Sequence, residues 1–171
     1  MKLASSSFPA LLKDLLHQGH SLRCRTLGTS MFPLIRSGNI IQVEPVKVQD
    51  LRVGDVVVYH DCADALVAHR LIEKSLVRGR VVLTTKGDTF PRSGAEKVQP
   101  EQILGRVVAV EWGKRLKIRL GSAPGKFIGI LLARFSPHIP WGSALVHVKN
   151  HLASLCQKID HKGALWPYLK I

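Results

Sequence analysis

The feature that most limits the fold of this chain is a succession of short segments rich in Val and Ile, separated by turns. Residues of these types favour extended strands, and glycine between such segments marks a change of direction. These segments are 40–46, 56–60, 65–73, 80–85 and 103–112, and 22–26 and 114–120 add the alternation that is typical of a strand. Glycine-containing turns stand at 37–38, 53–55, 78–79 and 86–88. The pattern predicts a mainly β fold, with a β-rich domain over residues 21–120.

The residues before this domain show a helical period instead. Ser7 is a suitable N-cap for a helix that runs to about His17, and the apolar residues between them fall on one face. An apolar face on so short a helix needs a partner to cover it. The sequence therefore predicts that residues 1–20 form a helix packed on the β core.

The residues after the domain differ again in composition. Pro124 and Gly125 predict a break, followed by the apolar run 127–133. A helical stripe of apolar residues then extends over 141–159. Residues 121–171 are therefore predicted to be a helical, basic and amphipathic C-terminal segment.

Positive charge is concentrated in the last third of the chain. The net charge is +13, and residues 106–171 contribute 11 basic against 2 acidic side chains. A basic amphipathic segment suits an anionic surface, such as a lipid membrane or an acidic partner. A merely solvated basic face explains the charge equally well, and the apolar stripe could equally close the core.

Nothing in the composition predicts a metal, a cofactor or a membrane span. The three cysteines are widely spaced and form no Cys-x-x-Cys pair, which suits a reducing compartment. The longest uninterrupted apolar stretch, 127–133, is far shorter than the roughly 20 residues that cross a bilayer. No secretory signal is recognised at the start. The expected location is therefore cytoplasmic or peripheral to a membrane.

Three short motifs carry candidate chemistry. The run Gly28-Thr29-Ser30-Met31-Phe32-Pro33 places a serine hydroxyl at a strand end, where a nucleophile can be held rigidly. His69 alternates with apolar neighbours, so its imidazole would be partly buried and neutral, as a general base requires. Asp88 follows a strand in a Lys-Gly-Asp turn, where a carboxylate either binds local N–H groups or orients a histidine.

In this order the motifs resemble the superfamily of type I signal peptidases and LexA-like self-cleaving repressors. The resemblance rests on the Ser-Met-x-Pro box at Ser30, on Gly-Asp-Val-Val-Val at 54–58 and on Leu-Gly-Arg-Val at 104–107. His69 stands where most bacterial members have a lysine, as in the Ser-His-Asp branch of endoplasmic-reticulum and archaeal signal peptidases. The resemblance implies a signal-peptidase/LexA-like fold, with Ser30 as nucleophile, His69 as general base and Asp88 as its support.

Two further positions qualify this assignment. Signal peptidases usually carry a serine where this chain has Gly28, so oxyanion stabilisation would fall to the backbone N–H groups of Ser30 and Thr29. Lys86 is an alternative base. A solvated lysine in a turn stays charged, whereas the reference pKa of an imidazole is about 6.5, so His69 is favoured.

Residues and resemblance together predict a serine endopeptidase that cleaves leader- or signal-like peptides after small residues. Its partner would be an extended peptide or preprotein, paired with strand edges beside the serine, and a peripheral contact with anionic membrane is a second expectation. Two alternatives stay open. One is a LexA-like self-cleaving regulator, although only 29 residues precede Ser30. The other is a non-catalytic, basic β-barrel binding module. Nucleic acid is not expected, because aromatic residues are only 6% of the chain and no RNA-reading aromatic motif is present.

Overall fold

The fold comes from a computed structural model, which describes residues 8–61, 65–113, 116–135 and 168–170. Two helices and nine strands occur in these residues. In chain order they are α1 (Phe8–His17), β1 (Leu22–Leu27), β2 (Ile40–Glu44), β3 (Val56–His60), β4 (Leu66–Val77), β5 (Arg80–Lys86), β6 (Glu96–Val98), β7 (Ile103–Trp112), β8 (Leu116–Arg119), α2 (Ala123–Phe135) and β9 (Tyr168–Lys170). The described chain is mainly β, which confirms the fold class predicted from the sequence.

The strands form one sheet that closes on itself. Its hydrogen-bonded order is β3-β7-β2-β1-β9-β4-β5-β6, with β8 beside β7 and a further pairing between β3 and β4. Because β3 pairs with both β7 and β4, the six strands from β3 to β4 make a ring. Strands β5 and β6 continue outward from β4. Neighbours in the ring are antiparallel except at β9, which runs parallel to β1 and β4.

Two clusters of buried apolar side chains pack against the sheet. The larger one lies inside the ring, where α1 covers it with Leu12 and Leu16, which are 3% and 1% exposed. The smaller one lies on the other side of β3 and β4, and includes Val57, Val67 and Leu71. Alternate residues of a strand point to opposite faces, so β3 and β4 supply both clusters. Because both faces are buried, the sequences of β3 and of the first half of β4 are nearly continuous apolar runs.

The start of α2 differs from the sequence prediction. Pro124 and Gly125 lie inside the helix rather than in a break. Proline is tolerated in a first helical turn because the N–H that it lacks would have no intrahelical partner there. The Ser122 hydroxyl accepts from the Gly125 N–H at 3.3 Å, as an N-cap side chain does. The predicted stripe at 141–159 lies outside the described residues.

Helix α2 docks on the turn before β3 through a contact between two glycines. A Cβ atom at Gly129 would stand 2.6 Å from the Gly54 carbonyl oxygen, so a larger residue would push the helix away. Four large apolar side chains of α2 are nevertheless exposed, at 39–64%. These are Phe127, Ile128, Ile130 and Leu131. Among the described residues, no helix has both the length and the apolar character to span a membrane.

Candidate active site

Ser30 lies in the loop between β1 and β2, shortly after β1 ends at Leu27. The loop is anchored by Met31 and Ile35, which are both 0% exposed, and the Ile35 N–H donates to the Met31 carbonyl at 2.9 Å. Ser30 itself is 6% exposed. Its hydroxyl is therefore held in a defined position that bulk water hardly reaches.

His69 lies in β4 and meets Ser30 directly. The Ser30 Oγ is 3.1 Å from the His69 Nε2. His69 is 6% exposed, and the Phe90 ring packs edge-on against its imidazole with the ring centroids 6.1 Å apart. The residues selected from the sequence as nucleophile and base thus stand within hydrogen-bond distance of each other.

The second imidazole nitrogen contacts a residue that sequence analysis missed. The Tyr59 hydroxyl oxygen lies 3.1 Å from the His69 Nδ1 and 2.8 Å from a carboxylate oxygen of Glu96. The Thr85 hydroxyl donates to the same oxygen at 3.2 Å. Burial, reinforced by the nearby Glu96 carboxylate, raises the pKa of Tyr59 far above its usual value. The tyrosine therefore stays protonated at any ordinary pH.

Strand register explains why these side chains meet. In the β3–β4 pair His69 lies opposite Val57, so Tyr59 is its diagonal neighbour on the same face. The β4–β5 register places Thr85 on this face as well, and Glu96 lies directly opposite Thr85 in the β5–β6 pair. Four strands thus each contribute one polar side chain to a single row.

The chemistry of this row determines which imidazole nitrogen carries the proton. A carboxylate only accepts hydrogen bonds, so the Tyr59 hydroxyl donates to Glu96. Its oxygen then accepts from Thr85 and from the Nδ1–H of His69. In the neutral imidazole this assignment leaves the lone pair of Nε2 to accept the Ser30 O–H, which is the tautomer that a general base needs.

Asp88 lies elsewhere than the prediction places it, because it binds Arg70 rather than His69. The Arg70 Nε and a terminal nitrogen donate to the two carboxylate oxygens at 2.7 and 2.6 Å. Within the described part of the chain, no hydrogen bond joins Asp88 to His69. Arg70 and His69 are consecutive in β4, so their side chains leave opposite faces, and Asp88 lies on the side of Arg70. At 1% and 3% exposure, Arg70 and Asp88 form a buried ion pair.

Lys86, the alternative base, is buried rather than solvated. It is 1% exposed, and its Nζ donates to the carbonyl oxygens of Gly87 at 2.9 Å and Phe90 at 2.7 Å. Burial lowers the pKa of Lys86, although the Asp88 carboxylate opposes that shift. Across the described residues, the Ser30 hydroxyl bonds to His69 and not to Lys86. The geometry therefore favours His69 as the base.

The turn at 87–90 holds the nucleophile loop through backbone atoms. The Thr89 N–H donates to the Ser30 carbonyl oxygen at 2.9 Å, and its hydroxyl does so at 3.1 Å. A Cβ atom at Gly87 would lie 2.9 Å from both the Cβ and the carbonyl oxygen of Ser30, so this close approach requires glycine. The Arg70–Asp88 ion pair and Lys86 thus stabilise the turn on which Ser30 rests.

Two backbone N–H groups beside Ser30, those of Thr29 and of Ser30 itself, are candidates for stabilising an oxyanion. Among the hydrogen bonds of the described residues, none uses the N–H of Thr29 or of Ser30 as donor. Gly28, with φ at +109°, adopts a conformation that favours glycine and turns the chain immediately before them. Donors left without an acceptor next to a nucleophile are the usual elements of an oxyanion hole.

Comparisons of the chain with models of protein families, with curated proteins and with solved structures found no match. A serine within hydrogen-bond distance of an imidazole, a tyrosine hydroxyl at the other ring nitrogen, and adjacent N–H donors form an arrangement capable of acyl transfer.

Proposed function

We propose that this protein is a serine endopeptidase with Ser30 as nucleophile and His69 as general base. The observation that supports this most is the 3.1 Å contact between the Ser30 Oγ and the His69 Nε2. Activation of serine by a neutral imidazole that a further group orients recurs on unrelated folds. The order of the motifs and the β-rich architecture support a signal-peptidase/LexA-like family of the Ser-His type.

In the proposed mechanism, His69 Nε2 removes the Ser30 proton while Oγ attacks the scissile carbonyl carbon. The oxyanion of the tetrahedral intermediate accepts hydrogen bonds from the N–H groups of Ser30 and Thr29. The imidazolium returns the proton to the leaving amine, which breaks the C–N bond and leaves an acyl-enzyme. Water then repeats the sequence and releases the acid and free Ser30. Throughout, the Nδ1–H is held by Tyr59, whose bond to Glu96 stabilises the imidazolium.

Leader- or signal-like peptides with small residues before the cut are the proposed substrates. The limited exposure of Ser30 and His69, 6% each, supports small side chains next to the scissile bond. The exposed apolar side chains of α2 and the positive charge of residues 106–171 support a peripheral contact with anionic membrane, where such peptides are found.

The function is tested by incubating the purified chain with a library of peptides containing Ala, Gly or Ser before varied residues. Mass spectrometry should detect fragments that end in the small residue. A fluorophosphonate should add covalently to the tryptic peptide that contains Ser30. A folded protein that yields neither fragments nor adduct would contradict the proposal and favour the non-catalytic binding module. Cleavage confined to its own chain would favour the self-cleaving regulator.

Tyr59→Phe is expected to lower kcat roughly 10- to 100-fold with little change in KM. The substitution removes the acceptor of the Nδ1–H, so the imidazole loses both its fixed tautomer and the support of Glu96; proton transfer by a positioned group contributes about 10²–10⁴-fold. Steady-state kinetics on a chromogenic peptide measures the effect.

Thr85→Val is the matched control for Tyr59. It removes another hydrogen bond to the same hydroxyl oxygen but leaves the contacts from His69 to Glu96 in place. Its kcat should stay within about threefold of the wild type, since a single neutral hydrogen bond contributes only about 1 kcal/mol. Equal losses in the two variants would mean that Tyr59 acts through packing and not through the imidazole.

A further inference from the structure

Strand β9 is inserted between the two strands that lead to the catalytic pair. Its residues Tyr168–Lys170 run parallel to residues 25–27 of β1 and lie opposite them. On its other side, Lys170 lies opposite Val67 of β4. Backbone pairing on both sides means that β9 fills a gap one strand wide between β1 and β4.

Strand β9 runs toward Ser30 and His69, because it is parallel to β1 and β4. The serine Ser30 comes three residues after Leu27, which is the β1 partner of Lys170, and His69 comes two residues after Val67. A strand advances about 3.3 Å per residue, so an extended peptide in this register reaches the pair within two or three further residues. The C-terminal end of this peptide is the end that reaches the catalytic pair. That is the orientation of the residues before a scissile bond, whose last carbonyl carbon the serine attacks.

We propose that β9 is an autoinhibitory strand that occupies the groove for the acyl side of the peptide substrate. This inference rests on the proposed peptidase function. The substrate is an extended peptide whose residues before the cut replace β9 and pair their backbone with β1 and β4 in parallel. Strand addition of this kind recognises main-chain groups, so many sequences fit, and side-chain selection operates only near Ser30.

Other surfaces of the described chain fit an extended peptide less well. Strands β6 and β8 lie at the margins of the sheet, and neither adjoins β1 or β4. A cavity of about 340 Å³ lies under α2 beside Gly54 and Arg70, but neither Ser30 nor His69 lines it. Among the described residues, only the position of β9 offers backbone pairing on both sides and a direct path to the nucleophile.

Occupation of the groove should weaken peptide binding by a factor equal to the inverse of the fraction of time that the groove is open. If β9 leaves its place about 1% of the time, the apparent affinity for a competing peptide falls about 100-fold. The full chain would then have a low basal activity. Any change that displaces β9 would raise it.

The proposal is tested with Leu169→Pro and its matched control Leu169→Ala, both in the full chain. Proline removes a backbone donor in the middle of a strand that has neighbours on both sides, whereas alanine keeps every donor. In the Ser30→Ala background, a fluorescein-labelled peptide with the sequence of residues 166–171 serves as the probe. Its Kd, measured by fluorescence anisotropy, should be at least tenfold lower for Leu169→Pro than for Leu169→Ala. Equal Kd values in folded proteins, checked by circular dichroism, would overturn the proposal.

A second variant keeps the test valid if Leu169→Pro does not fold. Leu27→Cys combined with Lys170→Cys, with Cys62 and Cys156 changed to Ser, places two cysteines at directly paired positions of adjacent strands. Paired strand positions stand close enough for a disulfide. Oxidation should lock β9 and lower kcat/KM for peptide at least tenfold, and reduction should restore it. Oxidised Leu27→Cys alone is the control. No difference between the oxidised and reduced double variant would overturn the proposal.

Failure of the peptidase function is distinguishable from failure of this inference. If no variant hydrolyses peptide but Leu169→Pro binds the probe more tightly, the result supports a peptide groove occupied by β9 and contradicts the peptidase function. If all variants hydrolyse peptide equally and bind the probe equally, the peptidase stands and the autoinhibitory role of β9 is wrong.

Discussion

Replacing Ser30 or His69 by alanine should lower peptide hydrolysis by roughly 10³-fold or more, while the melting temperature changes little. The nucleophile and its base act as one unit, so removing either stops acyl transfer, and the double variant should be no worse than either single one. The rest of the site stays in place, because the Ser30 loop is anchored by backbone bonds and by Met31. Initial rates on a chromogenic peptide and thermal denaturation measure both quantities.

Ser37→Ala is the matched control for this experiment. Ser37 is exposed and lies in the turn at 37–38, on the same connection between β1 and β2 as Ser30. Its loss should leave turnover unchanged. Full activity in a purified and folded Ser30→Ala or His69→Ala protein would contradict the assignment of the pair.

Asp88→Ala should destabilise the protein by about 3–5 kcal/mol, because it leaves the Arg70 guanidinium buried without its counter-ion. The two side chains are 3% and 1% exposed, so water cannot replace the lost partner. Urea denaturation should show a lower midpoint. Turnover per folded molecule, measured well below the melting temperature, should fall far less than in Ser30→Ala, since the hydrogen bonds of Asp88 in the described part of the chain go to Arg70.

Arg70→Met combined with Asp88→Leu separates the loss of the ion pair from the exposure of an unpaired charge. Apolar residues of similar size often replace a buried ion pair with little change in stability. The double variant should therefore be more stable than Asp88→Ala alone. An Asp88→Ala protein with a normal midpoint and strongly reduced turnover would instead assign the carboxylate to catalysis.

Much of the sheet could be predicted from the sequence because its strands have strong local signals. The segments 56–60 and 103–112 agree with β3 and β7 in both bounds, since runs of Val with a glycine turn leave little choice. Strand β6 was missed, because three residues give no measurable period. Strand β9 was missed for another reason. It pairs with β1 across most of the length of the chain, and the local sequence of a strand does not show which distant strand it pairs with.

The site was only partly predictable. Ser30 and His69 could be selected because their motifs stand in a recognisable order. Tyr59 and Glu96 could not, since each looks ordinary in its own segment and they meet His69 only through the register of four strands. Face alternation shows why Asp88 departs from its expected role: Arg70, the residue next to His69 in β4, takes the carboxylate on the opposite side.

The closure of the ring by β9 also has a consequence for how the chain reaches its native state. The pairings of β9 with β1 and β4 join segments that lie farther apart in the sequence than those of any other pairing in the ring, including the pairings of β7 with β2 and β3. Contacts between distant segments form slowly, because the entropy of loop closure opposes them until many form together. The ring should therefore close late, and until then two unpaired edges remain open. Open edges accept strands from other chains, so the concentration of newly made protein should influence how much of it folds correctly.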